Sequence, residues 1–311
     1  MAVVFLLRMA THSLVQLDDS DLGRIHALIA PIFPELECAV REKILGRGLD
    51  GLAQAWGARA GDGRLIGVAA YCGQWLRLLV VQPNSRRTGI GHALLKHCES
   101  ALRACGKTRM RLFDEPGNYA SPGIELNHEA AIAWFGRRGF VKRGENNNLL
   151  IDVVGNQAID ADRFAERVQS CADRGYQIVR VAASSPSVLK EKTIELAVSF
   201  LLAWGFEVSK ALVAEPGAVF VAREHSSGKL VAFAAHDGNN RGMGWFGPAG
   251  TVEQHRGQGL GAALLIGCLI DIGDHGHRQA NIAWIGPREF YRRVVGIVGE
   301  RRFVTMEKTL S

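Results

Sequence analysis

The sequence predicts a tandem α/β protein: two domains in a row, each a mixed but mostly antiparallel sheet flanked by helices. The chain has 311 residues, enough for two domains of ordinary size that each bury a core. A glycine-rich loop occurs twice, half a chain apart, and similar strand and helix patterns surround both copies. We therefore expect an N-terminal domain over 1–156 and a C-terminal domain over 157–311 that begins with a linker helix.

The elements of the first half follow from apolar periodicity and turn residues. A strand at HSLVQL precedes a helix over DDSDLGRIHALIA, whose Asp/Ser cluster supplies the N-cap. A hairpin then turns at Asp62-Gly63, and the strand LRLLVV leads into the first glycine loop. We expect the half to end with a helix over HALLKHCESALRAC, the strand RMRLF, a helix over NHEAAIAWFGRRG and a strand pair around 146–148.

The second half repeats this order. GNQAIDADRFAERVQSCADRG has the pattern of an amphipathic linker helix, and the strand YQIVRVA and a helical region over SPSVLKEKTIELAVSFLLAW follow it. A hairpin turns at 226–228, and GMGWFGPAGTV is the predicted central strand before the second loop. The remaining predictions are a helix over GLGAALLIGCLIDIGDHG, the strand QANIAWI, a helix over GPREFYRRVVG and the last strand RRFVTMEK.

Each glycine loop stands between an apolar strand and a helix. The two copies, RRTGIG at 86–91 and RGQGLG at 256–261, share the pattern R-x-x-G-x-G, and small residues and Leu-Leu follow each. Successive backbone N–H groups at a helix N-terminus bind anions such as phosphate. A Walker loop would end in Gly-Lys-Ser/Thr and a Rossmann loop would read G-x-G-x-x-G, so neither nucleotide motif fits. The matched copies indicate an internal duplication.

This loop resembles the acetyl-CoA loop of the GCN5-related N-acetyltransferase (GNAT) superfamily, which reads Q/R-x-x-G-x-G/A. A second family feature, F-Y-x-x-x-G-F, is similar to AAIAWFGRRGF ending at Phe140 and REFYRRVVG ending at Gly296. The resemblance covers nearly the whole chain and implies two GNAT-like domains with splayed central strands and acetyl-CoA as co-substrate. The implied cofactor-binding residues are Gly250, Thr251, Val252, Arg256, Gly257, Gln258, Gly259, Leu260 and Gly261 in the second half and Val80, Val81, Gln82, Arg86, Arg87, Thr88, Gly89, Ile90 and Gly91 in the first.

The resemblance also implies a general acid. The family's tyrosine, which protonates the departing CoA sulfur, corresponds to Tyr291, and the matching position of the first half is Phe135. A phenol has an ordinary pKa of about 10, close enough to that of a thiol to share a proton with it. Because phenylalanine has no proton to give, the second half is the expected catalyst.

A general base is harder to assign from the sequence. His236 and Asp237 follow the strand VAFAA, which should flank the acceptor cleft, so either side chain could deprotonate an amine. The alternative is that HDGNN simply forms a turn. Trp245 and Trp284 fall on the two strands that should splay, where they could stack on a sugar or belong to the core.

One long loop of the first half has the composition of a functional loop. LFDEPGNYASPGIELNHEA follows the fifth strand and contains Asp114, Glu115 and Tyr119 where an acceptor-facing loop would lie. Together with WFGPAGT and AWIGPREFY it resembles tandem acetyltransferases that include bacterial glucosamine-type N-acetyltransferases. Surface connection alone would also explain such a composition.

The resulting hypothesis is transfer of acetyl from acetyl-CoA to a primary amine of a small molecule, for which an amino sugar such as glucosamine is a candidate. A mycothiol synthase-like acetyltransferase is an alternative enzyme. A sensor or scaffold that binds acetyl-CoA without turnover is the alternative without catalysis, and a peptide acceptor stays open. The sequence does not determine the oligomeric state.

Composition narrows the classes of partner. The formal net charge of +6 suits an anionic cofactor, but no basic run is interleaved with aromatic residues, so we expect no nucleic-acid partner. The six cysteines lack metal-ligand spacing and the histidines of DHGHR lack further ligands nearby, so we expect a cytoplasmic protein without a metal. The apolar run at 2–7 is too short for a signal peptide or a membrane span, and Met9 could be the true start.

Overall fold

The structure is a computed structural model that describes residues 12–213 and 215–310. The apolar run at 2–7 and the alternative start at Met9 lie outside the described residues. A single sheet of 13 strands passes through both halves of the chain. The predicted fold class, a mixed sheet with flanking helices in two similar halves, is confirmed.

The N-terminal half contains nine strands and four α-helices among its described residues. They are β1 Ser13–Leu17, α1 Leu22–Ile29, α2 Val40–Ile44, β2 Arg47–Gly48, β3 Gly51–Leu52, β4 Gln54–Arg59, β5 Leu65–Cys72, β6 Trp75–Val81, α3 Ile90–Ala104, β7 Arg109–Leu112, β8 Ile124–Glu125, α4 Glu129–Gly136 and β9 Val141–Asp152.

The C-terminal half follows the same plan after the linker helix. Its elements are α5 Ala161–Asp173, β10 Tyr176–Val181, α6 Ser187–Phe200, α7 Leu202–Ala211, β11 Ala218–Glu224, β12 Leu230–His236, β13 Trp245–Thr251, α8 Leu260–Asp274, β14 Gln279–Ile282, α9 Arg288–Val295 and β15 Gly299–Thr309.

The halves exchange their last strands. In the sheet order β1-β4-β5-β6-β7-β15-β9-β14-β13-β12-β11-β10, β15 of the second half pairs with β7 of the first. Strand β9 of the first half pairs with β14 of the second, and β9 and β15 pair with each other along most of their length. The predicted strand pair around 146–148 is wrong, because 141–152 is one uninterrupted strand that must reach across to the other half.

Buried apolar side chains form a core on each face of the sheet in both halves. On β5, Val68 and Ala70 belong to one cluster and Ala69 between them belongs to another, as expected when successive side chains point to opposite faces. In the second half, α8 lies across one face and is buried along most of its length, and α6 and α7 cover the other. The domain boundary near residue 156 stays a prediction.

The central strands of each half separate after a short parallel contact. β6 pairs with β7 only at Trp75 and Leu76, and β13 pairs with β14 only at Trp245 and Phe246. Past these residues the facing strand edges carry no ladder partner, so each half has a V-shaped opening beside its central strand. This opening positions the sites described next.

Candidate active site

The two glycine loops have the same backbone conformation. Gly257 and Gly259 have φ of 77° and 83°, and their counterparts Arg87 and Gly89 have φ of 64° and 92°. Only glycine adopts this left-handed region without cost, so Arg87 is a strained residue in the first loop. Helix α8 begins at Leu260, and the N–H groups of Leu260 and Gly261 precede the first N–H groups that donate to the carbonyl of Gly259, those of Ala262 and Ala263. The second loop therefore has the geometry of an anion site.

A large cavity opens at the second loop. This loop cavity has a volume of about 710 Å³ and runs from the loop along β13 to α9. Its lining residues include the loop, the edge of β13 and three aromatic side chains of the α7 and α9 region: Ala249, Gly250, Thr251, His255, Arg256, Gly257, Gly259, Leu260, Gly261, Ala262, Trp204, Phe290 and Tyr291. Seven of the nine residues predicted to bind the cofactor in this half line it directly, and the other two, Val252 and Gln258, lie between or beside them in the chain.

Basic side chains surround the loop. Arg293 lines the loop cavity and is exposed, and Arg256 donates from Nε to the carbonyl of Thr251 at 3.3 Å. Arg174 of the linker donates from Nη1 to the carbonyl of Gln258 at 2.8 Å, which places a third cation beside the turn. The mouth of this cavity therefore attracts an anion.

A second cavity adjoins the first. This aromatic cavity, of about 420 Å³, is lined by Tyr119, Trp204, Trp284 and Tyr291 together with Glu207 and the part of β13 around Pro248. It shares Trp204, Phe246, Ala249, Pro287 and Tyr291 with the loop cavity. The two cavities therefore meet at the point where β13 and β14 separate, and both volumes lie in the range of about 300–1,000 Å³ usual for small-molecule pockets.

Glu207 is a buried carboxylate in the wall of the aromatic cavity. It lies on α7, is 5% exposed and accepts a hydrogen bond from the backbone of Gly117. Burial raises the pKa of Glu207 to about 7, although the charges of Lys210 and Lys43 act to lower it. A carboxylate with this pKa can accept a proton near neutral pH.

Tyr291 stands in the wall that both cavities share. Its ring lies 5.1 Å from that of Phe290 and 6.3 Å from that of Phe246, which holds it between α9 and β13. Burial raises the pKa of Tyr291 to about 12, so the phenol is protonated at neutral pH and can donate a hydrogen bond into either cavity.

His236 and Asp237, the predicted bases, lie elsewhere. His236 is fully buried between Asp237 (Nδ1 to Oδ2, 3.0 Å) and Asp271 (Nε2 to Oδ2, 3.2 Å), and neither residue lines the loop cavity or the aromatic cavity. Burial acts to lower the pKa of His236, but the two carboxylates outweigh it and raise that pKa. Asp237 has φ of 52° and accepts the N–H groups of Gly242 and Gly244, so HDGNN has the turn conformation that was the alternative prediction.

The first half lacks the corresponding arrangement. Phe135 is buried and packs against Phe113, Trp134 and Phe140. The cavity next to it is only about 160 Å³ and is lined by none of the residues 86–91 of the first loop. Near that loop, a side chain on Gly91 would touch Trp134, Val81 and Leu79, where the second half has Phe290 and Thr251 near Gly261. None of the three cavities described is lined by the predicted first-half residues Val80, Val81, Gln82 and 86–91.

The other residues that the sequence singled out separate into two groups. Tyr119 and Trp284 line the aromatic cavity, and their rings make an edge contact at 5.3 Å. Trp245 lines the small cavity of the first half, Glu115 is paired with Arg77, and Asp114 is paired with Arg111. Asp114 and Glu115 are therefore paired within the first half, whereas Pro116 and Tyr119 of the same loop line the aromatic cavity.

Glu207 is the principal site residue that the sequence did not reveal. It lies in a helical region whose apolar pattern predicts packing, and nothing local marks it as buried. In residues 12–213 and 215–310, no three histidine, cysteine or acidic side chains are grouped so that they could hold a metal ion. Over the same residues, no helix has the length and apolar character that crossing a membrane requires.

Residues 52–142 match the acetyltransferase (GNAT) domain family. No curated protein matches the chain. The family match falls in the first half, whereas the large cavities and the tyrosine are in the second. The family model therefore matches one copy, and the two larger of the three cavities described lie in the other.

Solved structures match almost the whole chain. A tandem GNAT protein from the clavulanic acid biosynthesis pathway has a TM-score of 0.67 at 19% identity, covering 97% of this chain and 99% of that one. A GCN5-related N-acetyltransferase from Sphaerobacter thermophilus has a TM-score of 0.63 at 17% identity, covering 96% of each chain. The GCN5-related glucosamine N-acetyltransferase region of a fungal multi-domain GH3 β-N-acetylglucosaminidase has a TM-score of 0.67 at 17% identity; 96% of this chain spans 38% of that protein. These likenesses establish the fold of both halves.

Proposed function

We propose that this chain, a tandem protein with the GCN5-related N-acetyltransferase fold in both halves, transfers the acetyl group of acetyl-CoA to a primary amine of a small molecule. The reaction takes place in the C-terminal half, where the loop cavity meets the aromatic cavity. The observation that carries the proposal is the position of Tyr291 in the wall common to both cavities. A donor and an acceptor molecule bound in the two cavities would meet beside this phenol.

The loop cavity fits the co-substrate. The left-handed glycines at 257 and 259 leave backbone N–H groups free of side-chain cover at the N-terminus of α8, and Arg293 adds a positive charge for phosphate groups. The edge of β13 beyond Phe246 has no ladder partner, so its backbone groups can bind the pantetheine arm. The volume of about 710 Å³ leaves room for a ligand much larger than a single phosphate.

Glu207 supplies the base in this proposal, in the place of His236 or Asp237. The ammonium form of the acceptor loses one proton to the carboxylate, directly or through water, and the free amine then attacks the thioester carbonyl. The C–N bond forms, the C–S bond breaks, the nitrogen releases its second proton to solvent, and the products are the acetamide and CoA. A carboxylate within an aromatic wall also attracts the ammonium group before reaction.

Tyr291 stabilises the departing sulfur. Because its pKa is about 12 and that of an ordinary thiol is about 8.5, complete proton transfer to the thiolate is uphill. We therefore assign the phenol the role of a hydrogen-bond donor to the developing thiolate, with the final proton coming from solvent. The N-terminal half, with Phe135 at the equivalent position, has no such donor and is assigned no turnover.

An amino sugar such as glucosamine is the acceptor that we favour. Aromatic side chains that flank a carboxylate provide a flat apolar face for a sugar ring and an anion for its ammonium group. The fungal neighbour is a glucosamine N-acetyltransferase region, which supports this choice.

The test is an acetylation assay with a panel of amines that includes glucosamine, n-butylamine and tyramine. The release of CoA thiol measures the rate of the reaction. Glu207→Gln should lower kcat by about 10²-fold or more while acetyl-CoA binding stays unchanged. Glu195→Gln, an exposed glutamate of α6, is the matched control and should keep wild-type kcat. If wild type binds acetyl-CoA but acetylates none of the amines in the panel, the result would favour a sensor over an enzyme.

A further inference from the structure

The long loop of the first half reaches into the aromatic cavity of the second. In the first half the connection between β7 and α4 runs from residue 113 to residue 128, whereas its counterpart between β14 and α9 runs only from 283 to 287. Pro116 and Tyr119 of this longer loop line the aromatic cavity, which is otherwise built from the second half. One copy of the duplication therefore carries an extension that completes the pocket of the other.

We propose that Tyr119 is a specificity-determining residue of the acceptor site, contributed by the N-terminal half. This inference rests on the proposed function for the identity of the cavity. The ring of Tyr119 makes an edge contact with Trp284 and lies 6.0 Å from the ring of Trp245. Its side chain thus lines the cavity together with Glu207 and Trp204 of α7.

Polar contacts from both halves hold the loop in place. Lys210 donates to the carbonyl of Gly117 at 2.8 Å, and Asn239 donates from Nδ2 to the carbonyl of Tyr119 at 2.9 Å. Lys43 donates to Asn118 at 3.0 Å and to Asn239 at 2.6 Å. Three consecutive loop residues are therefore each fixed by a side chain.

Holding the loop in place requires the burial of a charged side chain, that of Lys43. It is 1% exposed, and a buried ammonium group destabilises a fold unless it is paired. Glu42 lies 3.1 Å from Lys43 and 2.7 Å from Lys210, which completes a buried network of charges under the loop. The exchanged strands β9 and β15 already join the halves, so this network does not serve mainly to hold them together. Its effect is to position 117–119.

The phenol of Tyr119 is a hydrogen-bond donor at neutral pH. Burial raises its pKa well above the ordinary value and the nearby charge of Glu207 raises that pKa further, although a hydrogen bond with the side chain of Asn239 acts to lower it. A protonated phenol and an aromatic face favour an acceptor that carries hydroxyl groups on a ring, and an alkylamine uses neither. We therefore expect Tyr119 to discriminate in favour of ring-hydroxylated amines such as amino sugars.

The experiment compares glucosamine with n-butylamine in wild type and Tyr119→Ala. The ratio of kcat/KM for the two amines should fall at least tenfold in the variant, with the KM for acetyl-CoA within twofold of wild type. Tyr119→Phe keeps the ring and should fold even where the alanine variant does not; it should lower the same ratio at least threefold. Tyr71→Ala, in the core of the first half and in none of the three cavities, is the matched control for destabilisation of that half and should leave the ratio unchanged.

A binding measurement separates this inference from the proposed function. Saturation-transfer-difference NMR with CoA present reports binding of the same two amines without turnover. Wild type could bind glucosamine but transfer no acetyl group, and Tyr119→Ala could lose that binding. This result would refute the proposed function and support the inference. Equal glucosamine preference in wild type and both Tyr119 variants, or no binding of either amine to wild type, would overturn the inference.

Discussion

The buried carboxylate of Glu207 should make the stability of the protein depend on pH. Burial raises its pKa from 4.5 to about 7 in the folded protein. Between these values the folded state binds more protons than the unfolded state, so the stabilisation is fully present below about pH 4.5 and is lost as the pH rises through 7. A pKa difference of this size corresponds to about 3 kcal/mol.

Glu207→Gln removes this dependence because the amide does not titrate. The free energy of unfolding of the variant minus that of wild type should rise by about 3 kcal/mol between pH 4.5 and pH 8, since only wild type loses stability over that interval. Urea unfolding followed by circular dichroism at pH 4.5, 6, 7 and 8 measures this difference. Glu195→Gln should give a difference that is flat with pH, because its carboxylate is exposed.

Parallel pH profiles for wild type and Glu207→Gln would refute the reasoning. They would mean that Glu207 titrates near its ordinary pKa, so that water reaches it or Lys43 and Lys210 compensate its burial. In that case the carboxylate would be ionised at pH 5, and its assignment as a base poised near neutral pH would lose its physical basis.

Three further predictions concern the loop cavity and its tyrosine. Tyr291→Phe should lower kcat by about 10²-fold with acetyl-CoA affinity nearly unchanged, measured by CoA release and calorimetry; an unchanged kcat would remove the phenol from the mechanism. Gly259→Val should weaken acetyl-CoA binding at least tenfold by calorimetry, because a branched side chain at φ of 83° strains the turn that is proposed to bind phosphate. Gly276→Val is the control: its φ of 89° gives the same strain at a position remote from the loop, so the affinity should be unchanged. Calorimetric titration of acetyl-CoA should give one site per chain, because the second loop lines the cavity of about 710 Å³ and the first loop lines none of the three cavities described; two sites would assign a cofactor role to the first loop despite Phe135.

Much of the fold could be read from local patterns. The hairpin at Asp62-Gly63, the helices after both loops and the linker helix α5 lie where apolar periodicity and turn residues predict them. The pairing partners of the last strand of each half could not be predicted in this way. Strand β9 is long and polar at its start, and whether it folds back or crosses to β14 depends on pairing with residues more than a hundred positions away.

The candidate site likewise has one part that local sequence patterns predict and another that depends on distant contacts. The motif R-x-x-G-x-G and the tyrosine of F-Y-R-R are local signals, because a left-handed turn at a helix N-terminus needs glycine at set positions and a phenol differs from a phenyl ring in one atom. Sequence therefore determined the duplication, the loop that suits a phosphate and the half that holds Tyr291. Only the tertiary structure brought Glu207, Tyr119 and Trp284 into one cavity and removed His236 and Asp237 from it. Burial and the meeting of two halves decide that outcome, and both depend on contacts between residues distant in the chain, which no local pattern encodes.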